Sequence, residues 1–463
     1  MERTDYIYRN IAQITLEAAT PILVGTGRGD LITDALAVKD INGLPYLPAT
    51  SIAGVLRHAL HLNEEEDKLF FGFQDKKGGQ GSRIIFTDGV MVGKEGKPMD
   101  GLQDRIDWQD PFYDAYQDLP VRQHVRIGDK GVTEDTGKFD NEVVYQGTRF
   151  VFEIELIAAS TCQEVFEKVV KQLHDETLRL GSNTRSGYGK VRVVDCNCKT
   201  ACLDLTKPED LNAYLTKPAA LDKEWLRWEA YTTPKNNDDK EQWIQYQLKL
   251  KPVDFFMIGS GLGDNDADNT PMTELIVEWD NDGKPHLSKN PLVLIPGSSV
   301  KGALAHRTAY HYNKLMKRYI GNPEAKTGTE NEAVARIFGK KTKDNKFTRG
   351  CMLIDDIIQG EMKSKLFYHN KIDAFTGGTI DGALFQEKAV QGKDRTDCQY
   401  TLNLYVNTAA FKDDTDGKVR EAFELSLQDL CRGMLPLGGA TARGYGMFEG
   451  KLFINGAEQS WKR

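Results

Sequence analysis

The amino-acid sequence predicts an α+β protein built from two tandem ferredoxin-like domains. Two observations indicate this class: four landmarks occur twice in the same order, and each copy alternates strand and helix patterns in the same succession. A chain of 463 residues also exceeds what one ordinary hydrophobic core supports. The repeat sets the predicted domains at residues 1–205 and 242–463. Residues 206–241, which contain several proline-based turn signals, form a predicted linker.

The first two elements of each half are a strand and a helix. Apolar residues dominate 11–19 and 244–256, which predicts strands. Each strand leads through a Gly/Asp loop into a proline turn, LPATSIAG at 47–54 and IPGSSVKG at 295–302. Serine in such a turn is a suitable N-cap, so a helix is predicted to begin here in both halves.

The next landmarks supply a second strand and a polar insertion. In each half a Phe-Gly step precedes a short apolar run that ends in aspartate, Asp88 or Asp355. A His-x-x-Ile motif follows, beginning at His124 and at His369, and opens a stretch rich in Gly, Asp and Thr. These polar stretches are predicted to project from the domains as insertions.

An alternating strand, a helix, a glycine-rich loop and a terminal strand complete each half. The alternating strands are predicted at 150–156 and 400–406, and the loops read GSNTRSGYG at 181–189 and GGATARGYG at 438–446. The resulting order, strand–helix–strand–strand–helix–strand, is the ferredoxin-like pattern.

Composition excludes several classes of protein. The net charge of −8 is not that of a protein that coats polyanions nonspecifically, although basic residues can still gather on one face. Apolar stretches are too short to span a bilayer and no secretory signal is visible, so we expect a cytoplasmic protein without a membrane partner. Seven irregularly spaced cysteines predict reduced thiols rather than disulfides or a zinc site.

Small and basic residues near the glycine loops suit a phosphodiester backbone, which approaches closely and is held by amides, hydroxyls and cations. The loops lack the spacing of dinucleotide or P-loop motifs. The candidate RNA-binding residues are Ser51, Arg57, His58, Arg185, Ser298, Ser299, Lys301, Arg307 and Arg443. The alternatives are that the glycines only form tight turns and that His58, like its counterpart His306, packs in a core or interface.

Loop carboxylates are the second group of candidates, because a carboxylate can hold a divalent metal for phosphodiester cleavage. Asp34 precedes Asp40 by six residues, and counting back six residues from Asp280 in the second half leads to Glu274. The loop before Glu274 also contains Asp264, Asp266 and Asp268. The alternative interpretation of such a carboxylate is a cap or a solvated turn.

Taken together, the loop aspartates, the LPATSIAG turn and the Gly-Tyr-Gly loop resemble the repeat-associated mysterious protein (RAMP) superfamily. The resemblance covers both halves and is greatest to Cas7-like backbone subunits of type III CRISPR effectors, here as a tandem fusion. It implies modified RNA-recognition domains, each with a β-hairpin thumb, at about residues 128–142 and 373–391.

The resemblance also implies a function and a set of partners. The chain would bind CRISPR guide RNA, assemble with other RAMP and large-subunit proteins, and cut complementary target RNA by attack of a 2′-hydroxyl on the adjacent phosphate. Asp34 matches the catalytic, metal-holding aspartate of the family, with Mg²⁺ or Mn²⁺ as cofactor. Glu274 is the aligned residue of the second half, with Asp266 or Asp268 as substitutes.

Two other functions fit the same resemblance. One is a purely structural RNA-binding scaffold subunit without chemistry. The other is a guide-RNA-processing endonuclease that needs no metal and uses His58 or His306 as general acid and base.

Overall fold

The computed structural model describes residues 6–76, 78–128, 132–159, 163–231, 242–319, 321–341, 347–361, 363–392 and 399–460. Each half contains an antiparallel sheet with helices packed on it. The elements of the first half are β1 (Tyr8–Ala18), α1 (Ala49–Ala59), α2 (Glu64–Phe71), β2 (Phe73–Asp75), β3 (Gly78–Gln80), β4 (Ile84–Phe86), β5 (Val90–Met91), α3 (Pro111–Gln117), β6 (Val121–Ile127), β7 (Thr133–Glu142), β8 (Arg149–Ala158), α4 (Gln163–Gln172), β9 (Val191–Val193), β10 (Lys199–Asp204), α5 (Pro208–Leu215) and β11 (Glu229–Ala230).

The second half follows a similar course. Its elements are β12 (Trp243–Pro252), β13 (Phe255–Phe256), β14 (Thr273–Glu274), β15 (Val277–Trp279), β16 (Pro285–Leu287), β17 (Leu292–Ile295), α6 (Gly297–Leu315), α7 (Glu332–Phe338), β18 (Gly339–Lys341), β19 (Phe347–Arg349), β20 (Met352–Ile354), β21 (Ile357–Glu361), β22 (Ser364–His369), β23 (Phe385–Gln391), β24 (Tyr400–Asn407), α8 (Lys418–Cys431), β25 (Phe448–Ile454) and β26 (Ala457–Glu458).

The first strand of each half lies inside its sheet. In the first half β1 pairs with β8 on one side and with β9 and β10 on the other, while β4 and β5 pair with the outer edge of β8. In the second half the order is β20–β24–β12–β25–β26. The mixed α and β content over two regions is confirmed; the ferredoxin-like assignment stays a prediction.

Apolar periodicity explains why these segments pack as they do. Along β12 the residues Ile244, Tyr246, Leu248 and Leu250 are buried and alternate with partly exposed ones, as expected of a strand with one covered face. Helices α6 and α8 cover that face, and Leu304 and Phe423 are both fully buried in the same core. Burying a side chain of this size contributes about 1.5–3 kcal/mol.

The predicted linker contains packed structure. Residues 206–231 include α5 and β11, and β11 pairs with β10 of the first sheet. Trp225 is buried against Ile11 and Leu203, and its indole N–H donates to the Ala213 carbonyl at 3.2 Å. This part of the chain therefore extends the first half, while residues 232–241 lie outside the described residues.

Two hairpins occupy the places of the predicted thumbs. Strands β6 and β7 form one and β22 and β23 form the other. In both, a histidine stacks on a phenylalanine of the opposite strand, with ring centroids 4.8 Å apart for His124 and 4.9 Å apart for His369. The hairpins are observed; their role as thumbs stays a prediction.

Buried ion pairs join the two halves. Arg122 of β6 donates to Glu274 at 2.8 Å and also bonds to Asp356, and all three side chains are nearly inaccessible. Asp355 accepts from Arg179 at 2.6 Å and from Lys190 at 2.8 Å. We call this contact the junction; it fixes the two halves to each other.

Candidate functional site

The Asp34 loop is anchored at the base of the first hairpin. Asp30 accepts hydrogen bonds from the backbone N–H groups of Ile32 and Thr33, at 2.8 and 2.6 Å, which shapes the turn before Asp34. Asp34 is exposed, and its Oδ2 accepts from the Asp140 N–H of β7 at 2.9 Å. The carboxylate is thus oriented by the hairpin while remaining accessible to solvent.

The second half contains the same loop, with Asp268 in the position of Asp34. Asp268 Oδ2 accepts from the Gln386 N–H at the start of β23 at 2.8 Å, as Asp34 does from the first hairpin. Asp264 accepts from the backbone N–H groups of Asp266 and Ala267, both at 2.9 Å. Asp30 accepts in the same way in the first half. Within this loop the matched positions lie 234 residues apart, as for Asp30 and Asp264 and for Asp34 and Asp268.

Glu274 is not the counterpart of Asp34, which corrects the sequence alignment. Asp40 and Asp280 form equivalent turns 240 positions apart, so the second half has six additional residues between loop and turn. Glu274 lies among them and is 6% exposed, held by Arg122. Burial raises the pKa of its carboxyl, which Arg122 offsets only in part. We therefore assign Glu274 to the junction rather than to RNA cleavage.

A lysine distinguishes the second loop from the first. The ammonium group of Lys388 on β23 lies 2.5 Å from an Asp264 oxygen and 3.0 Å from an Asp266 oxygen. Glu142 occupies the corresponding position of β7 and accepts from the Ala37 N–H at 2.9 Å. Asp264 and Asp266 are therefore engaged by a cation in the second half, whereas the matched position of the first half carries a carboxylate.

Four basic side chains meet beside the junction, and we call them the basic cluster. Arg185 of the first glycine loop and Lys301 of α6 are partly buried, and Arg349 and His58 lie 3.4 Å apart. Burial and then repulsion by Arg349 lower the pKa of Arg185 to about 10, and burial and Arg185 lower the pKa of Lys301. Within the described part of the chain, neither Arg185 nor Lys301 has a carboxylate partner at ion-pair distance.

Uncompensated, partly buried cations favour an anionic ligand, because an anion relieves their repulsion and desolvation. The cluster thus brings together the predicted RNA-binding residues Arg185, Lys301 and His58. Arg349 was not predicted, since neighbouring sequence gives no signal that it would meet residues of the other half. Ala53 stands at the equivalent position of the first half, so that position supplies no counterpart of the Lys301 cation.

The remaining predicted basic residues are held by carboxylates. Arg57 bonds to Asp67 at 2.5 Å, Arg307 to Asp429 at 2.5 Å, and Arg443 to Glu387 at 2.9 Å. These pairs position the side chains but neutralise part of their charge. Arg57, Arg307 and Arg443 are therefore not counted as members of the basic cluster.

The predicted serine caps are also corrected. The N-cap residues of α1 and α6 are Pro48 and Pro296, and Ser51, Ser298 and Ser299 lie in the first turns without capping side-chain bonds. Instead, the carboxylates of Asp88 and Asp356 accept from the first N–H of each helix at 2.7 Å. Ser299 is exposed in the first turn of α6, two residues before Lys301, whereas Ser51 and Ser298 are partly buried.

Asp34 is the candidate ligand for a divalent ion in the first half. Mg²⁺ is often held by one or two carboxylates together with substrate phosphates and water. Asp34 fits as such a single protein ligand, because one of its oxygens is oriented by Asp140 and the side chain is exposed. In the described residues no group of three or more His, Cys, Asp or Glu side chains forms an all-protein metal site.

The repeated loops, the paired hairpins and the basic cluster define a two-domain protein with a group of cations beside its junction. A family model of the RAMP superfamily matches residues 15–192 and 249–449, and the chain belongs to this superfamily. Membership indicates a CRISPR-associated subunit that binds RNA and assembles with other subunits of a CRISPR complex. No curated protein matches the chain. None of the helices in the described ranges has the length and apolar character needed to cross a bilayer.

Proposed function

We propose that this chain is a guide-RNA-binding backbone subunit of a type III CRISPR effector that also cleaves complementary target RNA. The observation that carries RNA binding is the basic cluster, in which Arg185 lies near both Lys301 and Arg349. Among the residues that the structure describes, neither Arg185 nor Lys301 has a carboxylate at ion-pair distance. A phosphate of the guide RNA would lie there as the strand passes from one half to the other. The hairpins β6–β7 and β22–β23 would act as thumbs that displace nucleotides of the duplex.

The proposed chemistry is centred on Asp34. A displaced target nucleotide escapes A-form stacking, so its 2′-hydroxyl can reach the in-line position. The new bond joins the 2′-oxygen to phosphorus, the bond to the 5′-oxygen breaks, and the proton lost by the 2′-hydroxyl is replaced by one gained at the 5′-oxygen. The products carry 2′,3′-cyclic phosphate and 5′-hydroxyl ends.

Asp34 would orient a Mg²⁺ or Mn²⁺ ion, whose chemistry is to stabilise negative charge that develops on the phosphate oxygens. The Asp140 N–H holds Asp34 in place through the strand that forms the hairpin base. A hydrogen bond thus joins the Asp34 carboxylate to the hairpin that would displace the nucleotide. This connection would set the cut at a fixed distance from the displaced nucleotide.

A second cut is proposed at Asp268, which replaces Glu274 as the candidate residue of the second half. Asp268 has the same anchor to its hairpin as Asp34. Lys388 near Asp264 and Asp266 is the difference between the sites, and a nearby ammonium group disfavours a divalent cation. We therefore expect the second site to cleave more slowly than the first.

The test uses the assembled complex with end-labelled complementary RNA and Mg²⁺. Wild type is compared with Asp34→Ala, Asp268→Ala, the double variant and the exposed control Asp282→Ala, with guide content measured in each. Loss of one specific cut per substitution, with guide content unchanged, is expected. If all variants give the same cuts, the chain is a scaffold; if cleavage persists in chelator and is lost in His58→Ala, guide processing is the better account.

A further inference from the structure

Two exposed apolar residues, Leu31 and Ile32, form the tip of the Asp34 loop. We propose that this loop tip holds the nucleobase of the displaced target nucleotide, while Arg28 of the same loop holds a neighbouring phosphate. The inference rests on the proposed function, because it names the part of the target RNA that the Asp34 site would recognise. Its basis is the contrast between this loop and the matched loop of the second half.

Hydrogen bonds close the loop and leave its tip in water. The Asp30 N–H donates to the Thr33 carbonyl at 2.9 Å, and the Asp30 carboxylate accepts from the N–H groups of Ile32 and Thr33. Leu31 is 105% exposed and Ile32 is 83% exposed, so the rest of the protein covers almost none of their surface. The closed loop thus presents two apolar side chains within three residues of Asp34.

Folding does not explain an apolar loop tip. The matched loop has Asn265 and Asp266 at the same two places, and it is closed in the same way by the Asp264 N–H, which donates to the Ala267 carbonyl at 2.8 Å. Asparagine and aspartate are the residues that turns favour. A leucine and an isoleucine left in water add nothing to the stability of the fold, because apolar residues stabilise it by being buried. The loop tip therefore indicates contact with a ligand.

A cation on the same loop favours an anionic ligand. Arg28 matches Leu262, because the N–H of each donates to a hydroxyl oxygen at 3.1 Å, that of Thr26 or that of Ser260. Arg28 is exposed, and within the described parts of the chain its guanidinium has no carboxylate at ion-pair distance. A guanidinium can bind a phosphate, whereas the leucine at the matched position cannot. The first loop alone therefore combines a cation with an apolar pair.

Gly29 brings the two arms of the loop together. A Cβ on Gly29 would lie 2.6 Å from the carbonyl oxygens of Thr33 and Asp34, so the arms approach each other as closely as only glycine allows. Arg28, the loop tip and the Asp34 carboxylate thus belong to one compact surface. An apolar protein surface docked there would desolvate the two charges without pairing them.

A nucleotide suits this surface better, since it supplies a phosphate for the cation and a base with apolar faces for the loop tip. A base inside the duplex is covered by its stacked neighbours. Only a displaced base exposes both faces, so the displaced target nucleotide is the ligand that fits.

Single-turnover cleavage by the assembled complex tests the base contact. Leu31→Asn/Ile32→Asn gives the loop the kind of tip that turns favour, so the variant is expected to fold normally. The cut that depends on Asp34 should slow about tenfold, while the other cut keeps its wild-type rate. Wild type should show the same loss when the nucleotide on the 5′ side of that cut lacks its base but keeps its ribose. The variant should lose nothing more on that RNA.

Leu226→Asn is the matched control, because Leu226 is also fully exposed, at 104%, and lies outside this loop. It should leave both cuts unchanged. A variant that slows the cut equally on the intact and the abasic RNA, or does not slow it at all, would overturn the proposal. Arg28→Gln should make the rate of the same cut less dependent on salt, and an unchanged dependence would overturn the phosphate contact.

Photocrosslinking gives a second readout that needs no cleavage. Complexes of Asp34→Ala/Asp268→Ala are loaded with target RNAs that each carry 4-thiouridine at one position. The displaced position is expected to crosslink to the tryptic peptide 29–39, and Leu31→Asn/Ile32→Asn should reduce that crosslink.

Two results would overturn the proposal: no crosslink to this peptide from any position, or loss of a protein subunit from the loop-tip variant with the crosslink unchanged. Unchanged cuts in Asp34→Ala alone would instead refute the proposed function, and the crosslink would still report on the loop tip.

Discussion

Removing the Arg122 side chain is expected to destabilise the protein strongly. Arg122→Ala leaves Glu274 and Asp356 buried without their shared cation. The side chain of Arg122 is 3% exposed, that of Glu274 4% and that of Asp356 0%. Breaking a buried ion pair by deleting one partner costs about 3–5 kcal/mol. The deficit should grow as pH rises, because without Arg122 the folded-state pKa of Glu274 rises further above its unfolded value and protonation then favours folding.

The assay is urea denaturation followed by tryptophan fluorescence at several pH values. Arg192→Ala is the matched control, because Arg192 also pairs with a buried carboxylate, Glu17, but its own side chain is 67% exposed. Deleting it should cost roughly 0.2–1 kcal/mol. A loss below about 1 kcal/mol for Arg122→Ala, or a loss that does not increase with pH, would refute the assignment of Arg122 as the central contact of the junction.

Three further predictions concern other parts of the chain. Lys301→Ala should weaken guide-RNA binding about tenfold and reduce the slope of log K against log salt by about 1, as measured by titration at several salt concentrations; an unchanged slope would contradict phosphate contact. Burial lowers the pKa of His311, so the folded state resists protonation and stability should fall as pH drops below about 6.5; His311→Gln should flatten that fall in melting temperature. Gly181→Ala, at φ 87° and with its Cβ directed at the Leu23 carbonyl, should lower the melting temperature, whereas the helical Gly302→Ala, which meets open space, should raise it.

The repeat made the two-domain organisation predictable from the sequence. Landmarks such as the GYG loops are local, and local patterns report which segments are strands, helices and turns. They also indicated a loop at Asp34 and polar insertions at the places where the structure has the two hairpins; the roles of both stay predictions. Asp268, the counterpart of Asp34 in the second half, was predicted only as a substitute for Glu274, because the count began at Asp280 and six additional residues separate that turn from the Asp268 loop.

The junction could not be predicted in the same way. Asp355 and Asp356 read as ordinary polar residues after a short strand, and their partners Arg122, Arg179 and Lys190 are far away in the sequence. Charge alone does not say which distant residues meet. The basic cluster has the same origin, since Arg185 and Lys301 come from different halves and meet only after those halves dock.

The sequence separation of the junction has a consequence for synthesis in the cell. Arg122 and Asp356 lie 234 residues apart, so the ribosome takes on the order of 10–50 s to add the aspartate after the arginine. Until the second half is made, Arg122, Arg179 and Lys190 of the nascent first half lack the carboxylates that they contact in the junction, and they remain in contact with water. A polyanion present at that moment would compete with the emerging second half for the same cations. Early contact with RNA would therefore delay formation of the junction.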